Sequence, residues 1–135
     1  MEKDIRKSLG NIRSYLDQVD PFEKLRMDLV KEKYRKTLTE FENIDETRFY
    51  QEMAYYAEKL DITEEKVRLA QHLKYFGEVI DEERFSGKKL GFIAQEIGRE
   101  INTMGSKANQ ADIQKLVVMM KDDLEKIKEQ SLNIL

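Results

Sequence analysis

Between Gly87 and Lys107 the chain sets Gln95, Arg99, Asn102 and Ser106 at spacings of four, three and four, with Glu96 and Glu100 one turn apart beside them. On a helix these positions share one side. They offer carboxylates for acid–base work or cation binding, a guanidinium for phosphate, and an amide and a hydroxyl for orientation. Two carboxylates at i, i+4 repel by a few tenths of a kcal/mol on an exposed helix unless a cation lies between them. Arg99 supplies part of that cation. A second strip holds Glu65, Arg68 and His72, again spaced by three and four, and His72 is the sole histidine. Imidazole is the usual proton-transfer group near neutral pH, although a lone histidine on a helix is more often structural.

The residue types exclude some chemistry. With no cysteine and a single histidine, neither a thiolate nor an H-E-x-x-H zinc site can be assembled. A carboxylate-rich site for Mg²⁺ or Mn²⁺ stays open, with Glu52, Asp61, Glu65, Glu96 and Glu100 as candidate ligands. The stretch "NTMGSKAN" offers backbone N–H groups, small hydroxyls and Lys107 for phosphate oxygens, or is a simple turn between helices.

The elements that must carry these residues are helical. Hydrophobic residues make up 40% and charged residues 38% of the 135, with one proline, a mix that favours long amphipathic helices over a sheet. Ile5, Leu9, Ile12, Leu16 and Val19 predict a first helix, which Asp20-Pro21 should end. The same pair should cap a long second helix with Phe22, Leu25, Leu29, Val30, Tyr34, Leu38 and Phe41 along it. Two helices so joined form an arm or hairpin over about residues 4–42.

Core helices follow over about 45–135. A third runs from Glu46 to Leu60 with Phe49, Met53, Tyr56 and Leu60 inward. Asp61 or Thr63 caps a fourth, whose stripe is Leu69, Leu73, Phe76 and Ile80. After a polar loop from Asp81 to Gly87 comes the first-described helix, with Leu90, Ala94, Ile97, Ile101 and Met104 facing the core. Gly91 and Gly98 inside it each cost about 1 kcal/mol relative to Ala. The last helix carries Ile113, Val117, Met120, Leu124, Ile127, Ser131 and Ile134 at four-three spacing, suited to coiled-coil-like packing within or between chains. The expectation is one all-α domain, an elongated bundle of about six helices with a long N-terminal hairpin arm.

Net charge is −3, unevenly spread. From Arg84 to Lys107 five basic residues, including Lys88 and Lys89, face two acidic ones, a local +3 that leaves −6 on the remainder. No apolar run approaches the roughly 20 residues of a membrane helix. Met1-Glu2-Lys3-Asp4 does not open a signal peptide, and the lack of cysteine fits a reducing compartment, so a soluble, cytoplasmic protein is expected.

Taken together, "RFYQEMAYYAEKLDITEEKVRLAQHL", "GKKLGFIAQEIGREINTMGSKAN" and "KDDLEKIKEQSLNIL" resemble the C-terminal half of the YicC family of bacterial endoribonucleases. The likeness runs from about Asp4 to the end and is strongest from Arg48 to Lys107. Asp61, Glu64, Glu65, Arg68, Leu69 and His72 match in order and spacing, as do Gly87, Leu90, Phe92, Gln95, Glu96, Arg99, Glu100, Asn102, Thr103, Ser106 and Lys107. The family pattern has Asp where this chain has Gly91 and often Asn at Gly98, and its N-terminal half has no counterpart here.

The resemblance implies a cytoplasmic, divalent-metal-dependent endonuclease of single-stranded RNA, a ring-like homo-oligomer that is hexameric in full-length form. It assigns Glu65, Glu96 and Glu100 to metal (Mn²⁺ or Mg²⁺) or water positioning, His72 with Glu96 and Glu100 to catalysis, and Arg68, Lys88, Lys89, Arg99, Asn102, Ser106 and Lys107 to RNA phosphates. Two other classes remain open: a helical oligomerisation domain, or an RNA-binding module whose activity needs the N-terminal half.

Overall fold

The computed structural model describes residues 2–40, 45–82 and 87–134. They form five helices: α1 (Glu2–Glu40), α2 (Glu46–Leu60), α3 (Thr63–Asp81), α4 (Gly87–Lys107) and α5 (Ala111–Ile134). No strand occurs among the described residues. Phe41, Arg84 and most of the expected 81–87 loop lie outside them, as do the side chains of Leu38 and Ile134.

Asp20-Pro21 does not end a helix, which reduces the expected six to five. α1 runs through Pro21 for 39 residues. A proline inside a helix removes one hydrogen bond and crowds the preceding turn, at a cost of about 3 kcal/mol. Packing on both sides offsets that cost. Leu16 and Val19 before the proline are buried, Phe22 packs against the core after it, and Arg26 is buried one turn further. Asp20 is tied by an ion pair to Lys66 of α3, while Pro21 itself faces solvent.

The first half of α1 joins α3, α4 and α5 in a bundle, with α5 between α1 and α4, and α3 closing the ring more loosely against α1. Cross-links define the directions. Arg6 with Asp81 and Asp20 with Lys66 run α1 antiparallel to α3, and Asn11 donates to Asp123 of α5 at 3.2 Å. The core is the set of stripes read from period: Ile5, Ile12, Leu69, Phe76, Leu90, Ile97, Ile101, Met104, Ile113, Met120 and Ile127 are all essentially inaccessible. Each such side chain contributes on the order of 1.5–3 kcal/mol of hydrophobic free energy. The α5 seam from Ile113 to Ser131 is buried within the chain itself.

The helix expected to turn Phe49, Met53, Tyr56 and Leu60 inward does not enter the core. α2 has no buried residue. It belongs to the arm, where Tyr34 of α1 meets Phe49 and Tyr56 with ring centroids 6.3 and 5.9 Å apart. Leu25, Leu29, Tyr50 and Tyr55 stay exposed there. No described helix is long and apolar enough to cross a membrane.

Candidate functional site

α3 and α4 lie antiparallel, and Glu65 and Arg68 of the α3 strip meet Lys107 and Glu100 of α4 along one side of their interface. At one end Lys107 Nζ stands 2.5 Å from Glu65 Oε1 and donates to the backbone oxygen of Asp61 at 3.3 Å. One rung along, Arg68 Nε donates to Glu100 Oε1 at 3.0 Å, and its Nη1 reaches Glu64 at 3.1 Å. Further on, Lys89 Nζ lies 5.5 Å from the Tyr75 ring centroid and 3.8 Å from Glu82. This progression, 65 to 107, 68 to 100 and 75 to 89, brings the levels of His72 and Glu96 between the last two rungs.

Burial separates the carboxylates. Glu65 is 1% exposed and Glu100 5%, and each is paired with a basic side chain from the facing helix. Glu65 Oε2 is buried without a hydrogen-bond partner. Glu96 is partly open, with Arg99 Nη1 4.0 Å away. Thus the i, i+4 pair is relieved chiefly from across the interface, by Arg68, and only loosely by Arg99.

The remaining expected site residues divide by position. His72 is half-buried and makes no hydrogen bond among the described residues. Lys88, Asn102 and Ser106 are exposed, and Arg99 projects away from the α3 rungs at 75% exposure. Arg99 and Asn102 instead line a shallow groove toward α5.

The "NTMGSKAN" stretch does not present N–H groups for phosphate. Its first six residues close α4, where carbonyl oxygens rather than N–H groups are left over. Protein donors occupy several of them. Gln114 Nε2 donates to Gly105 O at 2.6 Å and Ala108 O at 2.9 Å, and Arg26 Nη1 to Lys107 O at 3.3 Å.

Arg26 is the residue that periodicity concealed. It occupies an apolar-stripe position, 7% exposed, is forked onto Glu23 at 2.7 and 2.8 Å, and donates to Leu60 O at 2.5 Å. It thereby joins the ends of α2 and α4. Continuing the Val19–Phe22 spacing by four would have flagged it as an inward charge. Asp61 completes this end: its Oδ1 accepts from the Thr63 hydroxyl at 2.6 Å and the Thr63 N–H at 2.9 Å, although the N-cap position of α3 falls on Ile62 rather than on the expected Asp61 or Thr63.

Among the described residues, no three or more histidine or carboxylate side chains stand together so as to hold a metal ion. Glu65 and Glu100 are each engaged by a protein cation, and Glu65 Oε2 is buried without a hydrogen-bond partner. A small hard cation such as Mg²⁺ keeps several waters and takes one or two carboxylates from a protein.

Residues 19–135 match the family described as "Endoribonuclease YicC-like, C-terminal". The chain is 35% identical over 138 residues to a Clostridioides difficile protein named "Probable endoribonuclease YicC", covering 99% of this chain and 47% of that protein. It is 38% identical over 92 residues to a Haemophilus influenzae protein of the same name, covering 68% of this chain and 32% of that one. The chain therefore spans about half the length of the first relative, and its match about a third of the second.

Proposed function

Because the chain belongs to the YicC-like endoribonuclease family, matching its C-terminal domain, we propose that it is the helical part of an enzyme that hydrolyses phosphodiester bonds in single-stranded RNA. One observation supports this reading above the others. The family match spans the whole α3/α4 interface, where Glu65 pairs with Lys107 and Arg68 with Glu100, on the two helices that also carry His72 and Glu96.

Cleavage of a phosphodiester requires that a proton leave the attacking hydroxyl or water, that the departing oxygen gain one, and that growing phosphoryl charge be neutralised. His72, free of hydrogen bonds among the described residues and partly open to solvent, is the group to move the proton at a ring nitrogen. Arg68, one turn before it on α3, and Lys107 at the far end of the interface are held in place by Glu100 and Glu65. Glu96 is the carboxylate left to position a water.

A second reading keeps this chain non-catalytic, binding RNA while the rest of the protein supplies the reaction. Its support is that the chain covers 47% of the Clostridioides difficile relative, so a protein of that length has a further half to carry chemistry. The homo-oligomer implied by the resemblance draws no support from α5, whose seam is spent inside the chain.

Cleavage of labelled single-stranded RNA by this chain, with Mn²⁺ and then with excess chelator, tests the proposal beside Glu96→Gln and His72→Ala. Cutting that both variants lose places chemistry on these helices. RNA bound but intact under all conditions, with the chain folded, selects the second reading.

A further inference from the structure

Behind the α3/α4 rungs, α4 turns a different polar face toward α5. There Gln95, Glu96, Gly98, Arg99, Asn102 and Thr103 of α4 line an open groove of about 490 Å³ together with Lys128 of α5. We infer that this groove seats the ribose–phosphate backbone of single-stranded RNA, with Arg99 and Lys128 as its paired cations; the inference rests on the RNA-directed reading above.

The cations on the two faces differ in availability. Lys107 and Arg68 are bound to nearly inaccessible carboxylates, and withdrawing either would strand a buried charge. Arg99 and Lys128 have only loose partners on their own helices, Glu96 at 4.0 Å and Glu125 at 3.6 Å, and both are open to solvent. Exchanging such a contact for a phosphate costs little.

The neutral groups complete a donor set. Gln95 and Asn102 make no hydrogen bond among the described residues, so their amides are available to phosphate and ribose oxygens. Gly98 permits the approach of the two helices that forms the groove, since a Cβ there would come within 3.2 Å of Leu124 Cδ2. Glu96 also lines the groove, so its two cations outnumber its carboxylate by one, and Arg99 must turn from Glu96 to meet a phosphate. No aromatic ring lines it, so bases have nothing to stack on and recognition should tolerate sequence.

The test is fluorescence anisotropy of a labelled oligouridylate and a mixed-sequence RNA on the full chain, between about 50 and 200 mM KCl. Lys128→Gln should weaken binding of both RNAs about fivefold near 0.1 M salt and lower the salt slope by about 0.7, one phosphate contact on a single strand. Arg99→Gln should do likewise, while Lys74→Gln, on the α1/α3 side, should change neither. If the chain binds RNA but Lys128→Gln and Arg99→Gln match Lys74→Gln, the groove assignment is wrong and the nuclease reading stands. If the unsubstituted chain binds no RNA even at low salt, both fall.

Discussion

Lys107 and Glu65 form an ion pair at 2.5 Å in which the lysine is one-third exposed and the carboxylate is 1% exposed. The asymmetry decides what each substitution does. Lys107→Met leaves the buried Glu65 carboxyl without its cation, and should destabilise the domain by about 3 kcal/mol. The double variant Glu65→Leu with Lys107→Met should recover most of that loss. Urea denaturation of the three proteins measures it, and a loss below about 1 kcal/mol for Lys107→Met would show that water reaches Glu65.

The glycines of α4 should respond differently to alanine. At Gly91 an added Cβ meets nothing within 4 Å, so Gly91→Ala should raise stability by about 0.5–1 kcal/mol through helix propensity. At Gly105 it would lie 3.2 Å from Cγ1 of Val117, a β-branched side chain with little rotamer freedom inside the core. Gly105→Ala should therefore fall at least about 1 kcal/mol below Gly91→Ala in thermal melts. The same open space means that Gly91→Asp, which restores the carboxylate of the family pattern, should fold normally, so RNA-cleavage assays of that variant read activity rather than stability.

Stability on the acid side should depend on Asp61. The Thr63 hydroxyl, then the Thr63 N–H, hold its carboxyl below the usual aspartate value, with Lys107 adding a smaller attraction. A carboxyl whose folded value is depressed binds its proton more tightly when unfolded, so its contribution is complete above about pH 5 and disappears as pH falls through the folded value. Asp61→Asn should flatten the stability–pH curve below about pH 5. An unchanged slope in denaturation at graded pH would remove Asp61 from the account.

Pro21→Ala should strengthen α1. The substitution gives residue 21 an N–H for the carbonyl of Asp17 and relieves crowding, a gain of up to about 3 kcal/mol. Calorimetry reads it directly. A lowered melting temperature would mean that the proline sets a bend on which the Val19, Phe22 and Arg26 packing depends.

The bundle was legible because its stripes are long and regular. Every expected apolar contact from Ile5 to Val19, from Leu69 to Ile80, from Leu90 to Met104 and from Ile113 to Ile127 is inside. The errors came from reading local signals without their tertiary partners. Proline is a strong breaker, yet the seam it interrupts is continuous. α2 has an apolar stripe as good as any, but a stripe does not specify what it faces, and here it meets only the arm. At the site, spacing on one helix grouped Glu96, Glu100 and Arg99. The ion pairs that decide their states, Arg68 with Glu100 and Lys107 with Glu65, span 32 and 42 residues, beyond any local pattern.

The unbroken α1 makes the arm a lever. At 1.5 Å per residue its 39 residues span about 58 Å, and Arg26 sits near the fulcrum, bonded to the carbonyl ends of both α2 and α4. Torque applied to the overhanging tip is therefore borne at Leu60 and Lys107. The second of these is also the residue whose ammonium holds Glu65, so strain in the arm is delivered to the first rung of the α3/α4 interface.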